Sequence, residues 1–157
     1  MAVLVPARMY TVSTVITNPG AVTNLNIQAN ATKPFAIVRV KIDLAQATIP
    51  TSANSRVRLV RKTAAPTVTS IAASTFVNHD PTDSDSGVTA GHTATVEGTD
   101  GDFIEEGWNS SVGYDFAPTP EEYIVVPGGV ANGFGVKHNV APPAGNYSFR
   151  ITFHEIG

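Results

Sequence analysis

The sequence predicts an all-β protein folded as a single antiparallel β-sandwich, a jelly roll of about eight or nine strands. Valine and threonine together account for 37 of the 157 residues, whereas leucine occurs only four times, a composition typical of strands rather than helices. Thirteen glycines and eleven prolines are spread along the chain and would interrupt any long helix. Between the turn residues, apolar and polar residues alternate with period two, as expected for half-buried strands.

Period-two alternation predicts four strands in the N-terminal half, at residues 10–16, 25–27, 36–44 and 56–62. The third of these strands directs its apolar side chains to one face and its charged side chains to the other. The apolar set is Ala36, Val38, Val40, Ile42 and Leu44, and the charged set is Arg39, Lys41 and Asp43. Each predicted strand therefore has one core face and one solvated face.

The alternation fails at residues 63–88, where we expect a long loop with one helical turn near residues 71–76. Loops of this length are usually functional or disordered. Further strands are predicted at residues 90–97, 108–116, 123–126, 134–138 and 147–154. In the 108–116 strand, Trp108, Val112 and Tyr114 share one face, which we expect to belong to the core. The chain offers no crossover helices for a parallel sheet, so its strands should pair antiparallel.

The length of 157 residues fits one domain, which we place at residues 9–157 behind an N-terminal arm at residues 1–8. The arm has no basic segment before its apolar residues, so we expect mature sequence rather than a signal peptide. No apolar run approaches the roughly 18 residues of a membrane span, and we expect no membrane partner. The absence of cysteine excludes disulfides and thiolate sites.

The net charge of −3 conceals a strong asymmetry along the chain. Residues 1–62 hold eight lysines and arginines against Asp43 alone, whereas residues 63–157 hold two basic residues against twelve acidic ones. Seven basic residues are candidate contacts with a partner or another subunit: Arg8, Arg39, Lys41, Arg56, Arg58, Arg61 and Lys62. Because the two halves interleave in a sandwich, the alternative is that these residues simply occupy solvated strand faces.

The residues that could support catalysis do not form a recognisable motif. The four histidines lack the spacing of a zinc site, and we expect His138, on the apolar side of its strand, to be a core or interface histidine. Asp80, Asp83 and Asp85 lack the spacing of a calcium loop. Adjacent glutamates such as residues 105–106 point to opposite faces of a strand and cannot act together as glycosidase carboxylates. We therefore expect no enzymatic activity, no cofactor and no metal.

The aromatic residues bear on two classes of ligand, nucleic acid and carbohydrate. Nucleic-acid binding is typical of a basic stripe with interleaved aromatics, but the basic half contains only Tyr10 and Phe35, so we expect no nucleic-acid partner. For carbohydrate, Trp108 and Tyr114 could stack on a sugar, although a core position is favoured for both. A carbohydrate-binding role therefore stays open as an alternative.

Several segments of the chain resemble small β-sandwich structural proteins of tailed bacteriophages and prophages. The segments are RMYTVS near the start, Trp108 followed by YDFAPTPEE and IVVPGG, and the closing APPAGNYSFRITFHEIG. As a set they look most like the capsid decoration, or cement, proteins of these phages. The resemblance covers most of the chain, with the exception of residues 63–88.

This resemblance implies a virion structural protein that binds the outer surface of the capsid and stabilises its lattice. It implies a homotrimer on the major capsid protein at quasi-threefold positions, made in the cytoplasm of the bacterial host. The alternative is a receptor- or carbohydrate-binding β-sandwich domain of a phage tail or fibre.

Overall fold

The computed structural model describes residues 8–156, and nearly all of their regular structure is β-strand. Within this range the chain forms twelve strands and two short 3₁₀ helices. The strands are β1 (Arg8–Thr17), β2 (Thr23–Gln28), β3 (Phe35–Leu44), β4 (Asn54–Ala64), β5 (Thr67–Ile71), β6 (Val77–Asn78), β7 (Thr89–Val96), β8 (Thr99–Asn109), β9 (Tyr114–Phe116), β10 (Ile124–Val126), β11 (Gly133–Lys137) and β12 (Asn146–Glu155). The 3₁₀ helices cover Ala73–Thr75 and Pro120–Glu122. Except for Arg8, the predicted N-terminal arm lies outside the described residues.

The strands form two antiparallel sheets of six strands each. Sheet A has the order β10-β3-β12-β1-β6, with β9 also paired to β3, and sheet B has the order β5-β7-β2-β11-β4-β8. Both sheets contribute to one cluster of buried apolar side chains, which includes Tyr10, Phe149 and Phe153 from sheet A and Leu25 and Phe134 from sheet B. The predicted antiparallel β-sandwich is confirmed.

Strand β12 lies in the interior of sheet A and pairs along both of its edges. Its partner β1 is in register from Arg8 opposite Glu155 to Thr17 opposite Asn146, and β3 runs along the other edge. The inward side chains of β12 are fully buried, as the alternation predicts: Tyr147, Phe149, Ile151 and Phe153. This one strand therefore supplies a continuous row of core residues.

A β-bulge in β3 changes which of its residues face the core. Opposite β12 the register moves from Arg39 paired with Thr152 to Ile37 paired with Phe153, so Val38 is the extra residue. On the C-terminal side of the bulge, Val40 is fully buried as predicted. At and before the bulge, Val38 was predicted to face the core but is only partly buried, whereas Ile37 is fully buried. The predicted face was therefore wrong for the first part of β3, because one inserted residue reverses the alternation.

Residues 63–88 contain more regular structure than the predicted long loop. Strand β4 extends to Ala64, β5 pairs with β7, and β6 pairs with β1. The 3₁₀ helix at Ala73–Thr75 lies where a helical turn was predicted. The prediction of a long loop without strands was wrong because β5 is an edge strand in which no residue is fully buried, so its sequence shows no clear alternation of buried and exposed side chains.

The predicted strand at residues 108–116 is two strands, β8 and β9, joined by a turn. Gly113 in the turn has a φ of +92°, a conformation that favours glycine. Trp108 and Tyr114 are buried as expected, but Val112 lies in the turn and 85% of its surface is exposed. Placing Val112 in the core was wrong because the chain leaves the sheet before this residue.

His138 follows β11 and lies in the core between the two sheets. Its side chain is fully buried and packs against Trp108 and Phe149, with ring centroids 5.6 and 5.9 Å away. Its Nδ1 accepts a hydrogen bond of 2.9 Å from the side-chain amide of Asn24. Burial lowers the pKa of His138 from 6.5 to about 4, because the charged imidazolium would lose its hydration. The expected core histidine is confirmed.

We expect His138 to make the free energy of unfolding depend on pH. The unfolded chain binds a proton at this imidazole at higher pH than the folded chain, so stability falls as the pH drops from 6.5 towards 4. Between pH 7.5 and pH 5 this group should remove about 2 kcal/mol. Urea unfolding at both pH values measures the decrease in the free energy of unfolding. In His138→Phe this decrease should be smaller by about 2 kcal/mol. An equal pH dependence in the two proteins would contradict the prediction.

Candidate interaction surfaces

The seven predicted contact residues lie on three separate parts of the sandwich. Arg8 is at the start of β1, where its guanidinium is 3.4 Å from Asp83. Arg39 and Lys41 lie on the outer face of sheet A. The other four are on β4 in sheet B: Arg56, Arg58, Arg61 and Lys62. Each of the seven lies within 4.0 Å of a carboxylate of the same chain. The fold therefore does not bring them into one basic patch.

The outer face of sheet A carries three basic residues close together. Lys41 and Arg150 are direct cross-strand neighbours on β3 and β12, and Arg39 is opposite Thr152 on the same pair of strands. Like charges in such positions destabilise a sheet unless they are neutralised. Asp43 lies 3.2 Å from both Lys41 and Arg150 and compensates part of their repulsion. Arg150 was not among the predicted contacts, because only the strand register places it beside Lys41.

Asp115 on β9 binds the third cation of this face. Arg39 donates two hydrogen bonds to the Asp115 carboxylate, one of them from Nε at 2.8 Å. These hydrogen bonds hold the pKa of Asp115 below its ordinary value. The three cations face two carboxylates, and their side chains are 34% to 49% exposed. We call Arg39, Lys41 and Arg150 the sheet A basic cluster.

The outer face of sheet B is covered by a network of opposite charges around Lys62. The Lys62 side chain is fully buried, and its Nζ donates to the Glu97 carboxylate and to Asp100. Lys137 Nζ lies 3.2 Å from Glu97 and 2.7 Å from Asp100. A Cβ at Gly135 would lie 3.2 Å from the Lys62 Cε, so the lysine occupies the space that this glycine leaves. Predicting Lys62 as a surface contact was wrong for this reason.

Hydrogen bonds keep both carboxylates of the Lys62 network ionised. Burial alone would raise the pKa of Glu97, but hydrogen bonds from Thr23, Lys137 and Lys62 outweigh it and lower this pKa below its ordinary value. For Asp100, burial also raises the pKa, and the two lysines again lower it further than burial raises it. The network therefore stays charged at neutral pH.

Strand β8 is an edge of sheet B and neutralises the first two arginines of β4. Arg56 and Arg58 both bind the Glu105 carboxylate, at 3.2 and 2.9 Å. The Arg58 guanidinium also lies over the Phe103 ring, 4.3 Å from its centroid. The hydrogen bond from Arg58 is the main reason that the pKa of Glu105 is below its ordinary value. The positive charges in this part of sheet B are therefore neutralised by a carboxylate of the same chain.

A groove of about 1010 Å³ lies at one end of sheet B, where the start of β4, the end of β8 and the loop before β12 meet. We call it the Gly107 groove. Its lining residues are Ala53–Arg56, Glu105, Gly107–Asn109 and Asn139–Pro143. Trp108 borders the groove, but its ring packs edge-on against Tyr147 and only 6% of the residue is exposed. The groove therefore has no exposed tryptophan face.

Glu155 fixes the segment before β7 against the end of β12. Its carboxylate is 3% exposed and accepts hydrogen bonds from the Ser86 hydroxyl at 2.7 Å and from the backbone amides of Gly87 and Val88 at 2.6 and 3.2 Å. No sequence pattern indicates this role, because the donors lie 67 to 69 residues away along the chain. Glu155 is therefore structural rather than free to bind a partner.

Lys62→Met should lower the free energy of unfolding by about 2–4 kcal/mol, because it leaves two partly buried carboxylates with Lys137 alone. Arg56→Met is the matched control on the same strand, where the side chain is 76% exposed, and should change stability by less than about 0.5 kcal/mol. Urea unfolding at pH 7 measures both. Since the folded pKa values of Glu97 and Asp100 are lowered, the effect of Lys62 should diminish below about pH 4. Equal losses in the two variants at pH 7 would refute the buried network.

Comparisons with known proteins do not assign the chain to a family. No family model, no curated protein and no solved structure matches it. Among residues 8–156, no helix is long and apolar enough to cross a membrane. Within the same range, no group of three or more histidine, cysteine, aspartate or glutamate residues is placed to hold a metal ion.

Proposed function

We propose that the chain is a virion structural protein that binds the outer surface of a phage capsid and stabilises its lattice as a cement, or decoration, protein. Its partner is the major capsid protein, and it acts as a homotrimer at quasi-threefold positions after synthesis in the bacterial host cytoplasm. The proposal begins with the sequence resemblance. The structural observation that carries it is the partly exposed sheet A basic cluster.

Strand pairing makes the outer face of sheet A a rigid platform. β1, β3 and β12 are ten residues long each and are paired along nearly their whole length. Neighbouring strands lie about 5 Å apart and alternate side chains about 7 Å apart, so the basic cluster has a fixed spacing. A fixed pattern of positive charge suits an acidic partner surface, where it orients the partner and speeds its association.

We also interpret the fold as a jelly roll with insertions. If β5, β6, β7 and β9 are set aside, sheet A has the order β10-β3-β12-β1 and sheet B has the order β2-β11-β4-β8. Four strands in each sheet, reached by repeated crossing of the chain between the sheets, are typical of a jelly roll built from two Greek keys. Viral capsid domains use this architecture, and so do lectins, so the topology supports the proposal without excluding the alternative.

The second candidate function is receptor or carbohydrate binding at a phage tail or fibre. Stacking on a sugar requires an exposed aromatic face. Trp108 and Tyr114 are only 6% and 7% exposed. Phe103 is 50% exposed, but Arg58 lies over one face of its ring. The aromatic residues therefore favour the capsid proposal.

Capsid binding by charge variants tests the proposal. Purified protein is added to undecorated capsids of the encoding phage, and bound protein is measured by cosedimentation and located by electron microscopy. The triple variant Arg39→Gln, Lys41→Gln, Arg150→Gln should bind at least about tenfold more weakly, and the wild type should lose affinity as salt is raised.

The matched control is a triple variant of β4, which removes the same number of positive charges from sheet B: Arg56→Gln, Arg58→Gln and Arg61→Gln. It should bind like the wild type, provided that its circular dichroism spectrum is unchanged. Equal losses in the two triple variants would show that net charge rather than the basic cluster matters. Failure of the wild-type protein to bind undecorated capsids would refute the capsid proposal.

A further inference from the structure

A small pocket of about 130 Å³ opens on the outer face of sheet A, inside the sheet A basic cluster. Its lining consists of the three cations of the cluster and two threonines: Arg39, Lys41 and Arg150 with Thr11 and Thr152. Of residues 8–156, no aspartate or glutamate lines it. Its volume is about the liquid volume of four water molecules, which suits a small group. We call it the Thr152 pocket.

Strand register explains why the two carboxylates of the cluster stay outside the Thr152 pocket. Across β1, β12 and β3, Thr11 is opposite Thr152, and Thr152 is opposite Arg39. The two other cations form the next row along these strands, and Asp43 lies one row further. Asp115 pairs with β3 from β9, on the side of β3 away from β12. Both carboxylates therefore bind the cations from positions outside the pocket.

The cluster retains one positive charge and guanidinium donors that the described fold does not use. Three cations face two carboxylates, so a charge of 3 − 2 = +1 remains. Within residues 8–156, Arg39 uses its Nε and Nη2 for Asp115. A guanidinium has five N–H donors, so three are left. Arg150 makes one ion pair in this range, with Asp43 at 3.2 Å from Nη2. These donors and the surplus positive charge favour a bound anion.

A chain of hydrogen bonds ends at the pocket. The Thr152 hydroxyl oxygen lies 2.8 Å from that of Thr11, which in turn lies 2.8 Å from Nε2 of His79. When this Nε2 carries a hydrogen, His79 donates to Thr11 and Thr11 donates to Thr152. The Thr152 hydroxyl is then left to donate to a group in the pocket. Because hydrogen bonds to an ionised acceptor are about twice as strong as neutral ones, a bound anion favours this direction of the chain.

The geometry points to a binding site for a single carboxylate group, which the partner surface supplies as the side chain of an aspartate or glutamate. A carboxylate carries the one negative charge that balances the cluster, and it accepts two parallel N–H bonds from a guanidinium. A phosphate group carries about one and a half to two negative charges at pH 7, more than the cluster balances. This inference rests on the proposed function for the identity of the partner, whereas carboxylate binding can be measured without capsids.

Titration of the full-length protein with sodium acetate, at constant ionic strength maintained with sodium chloride, tests the site directly. ¹H–¹⁵N NMR follows the Nε–H signals of Arg39 and Arg150 and the backbone amide of Thr152. In the wild type these signals should shift and saturate with acetate but not with chloride. Thr152→Val keeps every charge and suits a strand. It should bind acetate at least about tenfold more weakly, because a hydrogen bond to a charged group is lost.

Thr17→Val is the matched control, because it makes the same substitution at an exposed position of β1 outside the pocket. It should bind acetate like the wild type. Wild-type shifts that do not saturate would overturn the proposal, as would equal acetate affinities of Thr152→Val and the wild type. Sulfate that binds more than about tenfold tighter than acetate would also overturn it, because the site would then select free oxyanions. If Thr152→Val is misfolded by circular dichroism, Thr11→Val replaces it, because it breaks the same chain of hydrogen bonds.

Capsid cosedimentation of the same variants separates this inference from the proposed function. Thr152→Val should bind capsids at least about tenfold more weakly than Thr17→Val does. Capsid binding that falls in the triple variant of the basic cluster but not in Thr152→Val would refute the carboxylate site alone. A wild type that binds acetate in the pocket but does not bind capsids would refute the capsid proposal alone.

Discussion

The pairing of β12 along both of its edges is the constraint on which the rest of the structure depends. Its inward side chains lie in the core. Three of its residues also make contacts that shape the surface of the sandwich. The Tyr147 hydroxyl holds the loop of the Gly107 groove, Arg150 completes the basic cluster, and Glu155 fixes the segment before β7. Because these residues lie on one strand with fixed register, their relative positions cannot change without unpairing sheet A.

The two sheets differ in how deeply their charged side chains are buried. In sheet B, Gly135 leaves room for the Lys62 side chain, and the buried cation needs its carboxylate partners because an unpaired buried charge is costly. In sheet A, the ion pairs of Arg39, Lys41 and Arg150 are partly exposed, and exposed pairs contribute little to stability. Exchanging such a pair for a partner's carboxylate therefore costs the fold little. This difference makes sheet A the more suitable binding face.

The sequence predicts the fold best where strands are half-buried and regular. The alternation of β1, of β12 and of β3 after its bulge identifies core side chains correctly, because period-two patterning reports which face of a strand is dry. It cannot report an inserted residue, so the bulge at Val38 reversed the predicted face. It also misses most of β8, which begins at Thr99. This acidic edge strand is mostly exposed, so it has no buried face that would produce an alternating pattern.

The surfaces were harder to predict because they depend on which strands become neighbours. Lys62 is followed along the chain by Thr63 and Ala64, and nothing local shows that Glu97 and Asp100 will enclose it. Arg150 joins Lys41 only through a pairing between residues more than one hundred positions apart. Charge counts along the chain therefore identified basic residues without showing which of them share a face.

The charge balance of the sheet A basic cluster bears on how the proposed capsid attachment would work. A cluster with three cations and two nearby carboxylates attracts an acidic surface only weakly in physiological salt, where screening acts within about 8 Å. The proposed homotrimer would repeat that cluster at a fixed spacing. Binding of one copy would then raise the effective concentration of the others at the same lattice site. Repetition of the cluster would thus convert a weak contact of each copy into stable attachment without a deep binding pocket on sheet A.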